Sequence, residues 1–359
     1  MPKKKTIKKT PAKKGFIQKN KAILMMLAVA FFFLLAGSIF FIYHNAFKSN
    51  LRFKKPTEFV YIRSNFKFDD VVRYLSSEGL LESEDTFRWM ADFMGYTHAI
   101  KPGRYKIKPG MSNRELIALL QSGQQEPVRL TFKSIRTRHE LASKVSKYLE
   151  ADSTSIIRYM DSEEFQKTYG LNAENALSLI MPNTYEFYWN TSAEGFMKKM
   201  AGYYQDFWDN KRKTQAQKLG LRPDQISVIA SIVQQESNKK DEWPTIAGVY
   251  LNRLNCGMKL QADPTVKFAL GNFGLRRILK EHLSVDSPYN TYKYEGLPPG
   301  PIYMANSSCI DAVLEASQHE FIYFCARPDR SGYHDFAKTY SEHLANAAKY
   351  HRELNRRGI

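Results

Sequence analysis

The sequence predicts an α+β protein carried on one N-terminal transmembrane helix. Three observations lead there. Residues 22–43 are an uncharged apolar run, residues 57–125 alternate between period-two and helical patterns, and the remainder is helix-rich with isolated strand-like stretches. The expected organisation is a basic tail over 1–21, a transmembrane helix over 22–43, a small β-α-α-β subdomain over 44–126 and a larger α+β domain over 127–359. A chain of 359 residues is long enough for more than one core.

The net charge of +17 has a local origin. Nine lysines and no acidic residue precede Ala22, so about half of the excess belongs to a tail too polar to fold. The rest is mildly basic, without an arginine-rich helix or an aromatic RNA-binding motif, and nucleic acid is not an expected partner. At about 1.5 Å per residue, AILMMLAVAFFFLLAGSIFFIY spans about 30 Å of hydrocarbon. Lysines on its N-terminal flank keep that end cytoplasmic, which places everything from His44 onward across the membrane, on the periplasmic side of a cell inner membrane. A cleaved signal peptide is the alternative, but the run is long for one and no small-x-small site closes it. In LLAGS, Ser38 stands where a lipidated cysteine would be needed. Cys256, Cys309 and Cys325 allow one bridge or three buried thiols, and no C-x-x-C pair suggests zinc.

After a short basic linker, EFVYIRS has strand composition and VVRYLSSEGLL reads as a helix stopping near Gly79. SEDTFRWMADFMGY is a second amphipathic helix with Phe87, Met90 and Met94 at helical spacing, and RYKIKPG a second strand after the turn at Lys101-Pro102-Gly103. Ser112 to Glu115 is a capping box opening a helix with Leu116, Leu119 and Leu120 on one face. Beyond the Gln124 to Pro127 linker, VRLTFKS is a strand. A second capping box at Thr137 to Glu140 opens a helix lined by Leu141, Val145 and Leu149. LIMPNTYEFYWNTS reads as extended chain entering a loop, and residues 196–219 as one basic amphipathic helix.

The chain is organised around residues 226–270. Ile229, Ile232, Val233 and Glu236 fall at i, i+3, i+4 and i+7, one face of a helix started by Arg222-Pro223-Asp224. Glu236 ends the apolar stripe, where partial desolvation raises a carboxyl pKa toward the range a proton donor needs. A solvated last-turn glutamate is the plainer alternative. A second helix follows with Pro244 in its first turn and Ile246, Val249 and Tyr250 inward. Asp263 is the expected N-cap, and Pro264 the first residue, of a third. SPYNTYKYEGLPPGPI is a tyrosine-rich loop suited to a sugar, which stacks on rings and bonds to amides.

SIVQQES, VYLNRLNCGMKLQADPTVKFAL, SPYNTY and GLPPGPI, in this order, resemble the signature segments of the endolytic murein transglycosylases, the YceG-like family. The resemblance covers about Thr57 to Asn355. GRYKIKPGMSNRELIALLQSG and the elements before it resemble that family's membrane-proximal LysM-like subdomain, a glycan-binding module; a simple spacer is the alternative. The resemblance implies that Glu236 is the catalytic glutamate of the A-S-I-V-x-x-E segment. It also implies that cleavage falls within peptidoglycan strands, that no cofactor is needed and that newly made glycan is trimmed beside the peptidoglycan synthesis machinery. Gln234 stands where many members have glutamate, and Asn183 where the family's P-D-T-Y has aspartate, so a role for those carboxylates is not expected.

One acid suffices for such a reaction, whereas most glycosidases use two. Glu236 is expected to protonate the oxygen between N-acetylmuramic acid and N-acetylglucosamine. The 2-acetamido group stabilises charge at C1, and the resulting carboxylate then takes the proton of the attacking 6-hydroxyl, closing a 1,6-anhydro ring. Tyr289, Asn290, Thr291, Tyr292, Gln261, Asp263 and Asn252 are candidate substrate-binding residues. For Asp263 a cap is as good a reading, and Asn252 could instead bond backbone. A hydrolase using Asp241, Glu242 or Asp263 as second carboxylate, and a non-catalytic peptidoglycan-binding anchor, are the rivals. H-E-x-x-H, phosphate-loop and G-x-S-x-G patterns are absent from the sequence.

Overall fold

The computed structural model describes residues 14–53, 55–275 and 277–356, so much of the expected basic tail lies outside the described residues. It divides into two compact units, 1–126 and 127–359.

In the first unit, α1 (Lys14–Ala46) is longer than the apolar run at both ends. Its segment Lys21–Ala46 is long and apolar enough to cross a membrane. Then come β1 (Glu58–Ile62), α2 (Phe68–Ser77), α3 (Glu84–Phe93), β2 (Gly103–Ile107) and α4 (Asn113–Ser122). The two strands are antiparallel, from Glu58 opposite Ile107 to Ile62 opposite Gly103. Alternation sends Val60, Ile62, Tyr105 and Ile107 inward onto Val72, Leu75, Phe87, Leu116 and Leu120. The first capping box forms as expected: Glu115 N–H donates to Ser112 Oγ, and Ser112 N–H to Glu115 Oε2 at 2.8 Å. A buried amide chain extends α1 past residue 43. Asn50 Nδ2 donates to Asn113 Oδ1 at 2.7 Å, and Asn113 Nδ2 to the Asn45 carbonyl at 2.9 Å.

The second unit opens with β3 (Val128–Phe132), α5 (Arg138–Val145), α6 (Ser153–Met160), α7 (Glu163–Tyr169), β4 (Asn183–Phe187) and α8 (Ala193–Phe207). β3 and β4 pair antiparallel and place Leu130, Phe132, Tyr185 and Phe187 in one core with Phe196, Met197 and Met200. Thr137 caps α5, but Glu140 Oε2 accepts from Arg136 N–H at 2.8 Å rather than from Thr137, so this box is not reciprocal. The single helix expected over 196–219 is two. The chain breaks at Trp208, and Asp209 caps α9 (Asn210–Lys218) by accepting from Arg212 N–H at 2.8 Å, a local bond that competes with helix continuation.

The second core surrounds α10 (Pro223–Glu236). The expectation of one apolar stripe is too modest: every side chain from Ile226 to Val233 is buried, because α11 (Trp243–Asn255), α12 (Asp263–Ala269) and α13 (Ser307–Leu314) pack around it. The proline-rich loop is locked onto the same helix, with Ile302 N–H donating to Ser231 Oγ at 3.0 Å. Gly300 is required there, since a Cβ would lie 1.9 Å from the Glu174 carbonyl oxygen. A hairpin of β5 (Tyr323–Ala326) and β6 (His334–Ala337) and then α14 (Tyr340–Arg356) end the described chain. The three cysteines are free thiols.

Candidate active site

Glu236 is the last residue of α10, and Ser237 leaves the helix in an extended conformation. The turn is rigid: Trp243 Nε1 donates to the Ser237 carbonyl at 2.8 Å, and Ser237 Oγ to Glu242 Oε2 at 3.2 Å. A carboxylate at a helix C-terminus faces the negative end of the dipole, which adds to the cost of burying it. Tyr250, buried on α11, donates its hydroxyl to Glu236 Oε1 at 2.6 Å. Desolvation pushes the Glu236 carboxyl up to about 7, with the Asp263 charge adding to the rise; the Tyr250 hydrogen bond and the Arg253 and Lys267 charges hold it back. The result is an acid close to half-protonated at neutral pH, with Oε2 not engaged by the Tyr250 bond.

Asp263 is the first residue of α12, not its cap; Ala262 occupies the cap position. The Asp263 carboxylate is instead taken by Tyr292, whose hydroxyl donates to Oδ1 at 2.6 Å. Gln261, exposed just before the helix, has φ 50°, a left-handed conformation uncommon outside glycine, and its N–H donates to the Thr291 carbonyl. Thr291 is buried, accepts from Ala262 N–H at 3.0 Å and bonds Thr265 Oγ1 at 2.8 Å, so it fastens the tyrosine-rich loop to α12. Asn290, fully buried, donates to the carbonyls of Leu283 and Val285. Asn252 donates to the carbonyls of His319 and Phe321, the backbone role left open by its sequence context.

Tyr289 is buried, with its ring 4.6 Å from that of Phe268 and its hydroxyl donating to Glu174 Oε2 at 3.0 Å. It lines a cavity of about 210 Å³ with Arg136, Arg138, Glu174 and Phe268. Of the predicted residues, then, Glu236, Asp263 and Tyr292 come together, Gln261 borders them, Asn290 and Thr291 frame the loop, Tyr289 faces the cavity, and Asn252 bonds the segment ahead of β5.

Of the carboxylates considered as second groups, Glu242 is buried and accepts from Ser237, His334 N–H and, at 3.0 Å, His334 Nδ1. Asp241 accepts from Tyr333. Asp263 is the one whose charge acts on Glu236. Gln234 serves structure: its Oε1 accepts from Asn306 N–H at 2.7 Å. Asn183 is the exposed first residue of β4, opposite Phe132. Tyr250, Arg253 and Lys267 escaped the sequence reading as site residues. A tyrosine at an inward helical position looks like core, and only its need for a hydroxyl partner hinted otherwise.

The model of the YceG-like family matches residues 60–349. A Bacillus subtilis protein named endolytic murein transglycosylase is 28% identical over 82% of this chain and 85% of its own length. A Streptococcus pneumoniae protein of the same name is 27% identical over 77% of this chain, which spans 55% of that longer relative. The crystal structure of a yceG-like protein from Listeria monocytogenes is 27% identical with a TM-score of 0.52, over 81% of this chain and 99% of that one.

Proposed function

Because the chain belongs to the YceG-like family, we propose that it is a membrane-anchored lytic transglycosylase that cuts peptidoglycan within its glycan strands, with Glu236 as the acid and then the base. The observation that carries the reading is the Glu236 carboxyl, raised to about 7 at the end of a buried helix and held by the Tyr250 hydroxyl. An acid near half-protonated at working pH can give a proton and take one back with little cost in either direction.

In the proposed reaction the proton on Glu236 passes to the glycosidic oxygen as the bond from C1 of N-acetylmuramic acid breaks. The substrate's acetamido group shares the charge at C1. The 6-hydroxyl oxygen then bonds to C1 and its proton returns to Glu236, leaving a 1,6-anhydro end and the acid restored. Tyr250 fixes the carboxyl through Oε1 and leaves Oε2 for the proton. Tyr292, Gln261 and Asp263 are proposed to contact the sugar, with Asn290, Thr291 and Asn252 shaping the walls and Tyr289 the adjoining cavity.

The α1 helix is proposed as the anchor, with a cytoplasmic N-terminus and both units from His44 onward on the periplasmic face of the inner membrane. The β-α-α-β unit over 44–126 is proposed as a LysM-like glycan-holding subdomain and 127–359 as the catalytic domain. Trimming of nascent strands beside the synthesis machinery completes the proposal.

One second reading has an observation in its favour: Asp263 is close enough to act on Glu236 and could serve water as a hydrolase would require. Mass spectrometry of peptidoglycan digested by the full chain and by Glu236→Gln decides between them. Fragments with 1,6-anhydro ends from wild type alone support transglycosylation, and reducing ends support hydrolysis. No fragments from wild type, with glycan still bound, would make the chain an anchor.

A further inference from the structure

Arg136 lies between β3 and α5, on the cavity that Tyr289 and Phe268 also line, and its backbone is fixed by the N–H bond to Glu140. Its guanidinium sits 4.6 Å from the centre of the Phe273 ring and 5.2 Å from that of Tyr303. Nη2 reaches Gln235 Oε1, the side chain next in sequence to Glu236, at 3.4 Å. Two aromatic rings and one long hydrogen bond orient the fork without neutralising it. Among the described residues no carboxylate forms an ion pair with Arg136. The other cavity charges are committed, Arg138 to Asp161 and Glu174 to the Tyr289 hydroxyl.

An oriented guanidinium, without an ion-pair partner among the described residues and bonded to the side chain that neighbours the proton donor in sequence, is suited to a planar anion carried by the substrate. We propose that Arg136 binds a carboxylate on the muramic acid unit beside the bond that is cut. This rests on the reading of the substrate as peptidoglycan. In bare strands the carboxylate is that of the lactyl group; in peptide-bearing strands the lactyl group is amide-linked, and the free carboxylates are those of the stem peptide. The chemistry is the same, and the two sources separate by experiment. Arg136 acts by binding and placing the strand, while Glu236 performs the chemistry.

The test is equilibrium binding by the full chain in detergent, carrying Glu236→Gln so that no strand is consumed. Three soluble ligands are compared: bare strands, peptide-bearing strands, and bare strands with their carboxylates converted to primary amides. Adding Arg136→Gln is expected to weaken binding to one of the carboxylate-bearing ligands by about 10-fold or more, the size of a charge-assisted bond. On amidated strands the loss should stay under about 2-fold, and Arg136→Lys should fall between, keeping charge but not the fork. Loss on bare strands names the lactyl group; loss confined to peptide-bearing strands names the stem. An equal loss on amidated strands would mean that Arg136 only supports the fold, and no loss on any strand would overturn the inference outright. Cleavage by wild type with binding indifferent to Arg136 sinks this inference alone. Arg136-dependent binding without cleavage sinks the enzymatic reading alone.

Discussion

Replacing Glu236 by glutamine removes the titrating proton but leaves an oxygen to accept from Tyr250, so the variant imitates the protonated acid at every pH. In wild type, the folded carboxyl titrates at about 7 against an ordinary value of 4.5. Between those values the folded chain holds a proton that the unfolded chain has lost, so stability falls as pH rises through this window and stays low above it. The gap corresponds to a ceiling of about 3 kcal/mol, at ~1.4 kcal/mol per pH unit. Glutamine lacks this loss. The stability advantage of Glu236→Gln over wild type should therefore be near zero at pH 4.5, grow through neutrality and level off above pH 8. In thermal unfolding of the full chain in detergent, that advantage is worth roughly 5–10 °C at the alkaline end. Activity should move the other way, with Glu236→Gln falling by about 1,000-fold or more at all pH values. A stability difference that stays flat from pH 4.5 to 9 would refute the reasoning, because it would mean that Glu236 is solvated and ordinary.

Two substitutions should move the alkaline limb of the pH–rate profile in opposite directions. Tyr250→Phe deletes the hydrogen bond that lowers the Glu236 pKa, so the acid stays protonated to higher pH, while loss of positioning should reduce the plateau rate by about 10-fold. Asp263→Asn deletes a charge that raises that pKa, so its limb should shift to lower pH with anhydro products retained; a loss of about 1,000-fold or more would instead point to Asp263 as a hydrolase's second carboxylate. Gly300→Ala puts a methyl group against the Glu174 backbone and should lower stability by about 1–3 kcal/mol, measured by denaturant midpoint. Removing the buried charge of Glu242 with Glu242→Gln should loosen the turn after Glu236 and cost about 1–3 kcal/mol, read the same way.

Periodicity and end signals made much of the local structure legible from the amino acids alone. The α2 to α4 helices, the β1 to β3 strands and the start of α10 follow from apolar spacing, the Ser112 box and Pro223, because those preferences act within a few residues, whereas β4 reads only as extended chain entering a loop. Glu236 could be singled out because it closes an apolar stripe, and a stripe must face a core. The break at Trp208 and the β5, β6 and α14 elements do not show in the sequence patterns. One hydrogen bond to Arg212 N–H decides the first, and the four-residue strands offer too little pattern to announce themselves.

What the folded chain alone decided is which partner each polar side chain takes. Asn290, Thr291 and Asn252 read as well for a sugar as for a backbone, and tertiary contacts gave their donors to carbonyls and neighbouring hydroxyls. Asp263 reads equally as a cap or a sugar contact, and its carboxylate is taken by the Tyr292 hydroxyl. Tyr250 reads as core and holds the acid; Arg136 belongs to no sequence motif, and among the described residues its charge has no ion-pair partner. Desolvation, the main cause of the raised proton affinity of Glu236, likewise depends on tertiary packing, with α11 and α12 supplying the groups that act on the carboxyl. A side chain's type and spacing fix what it can bond, but the choice among bonding partners distant in sequence is made only when packing brings them within reach.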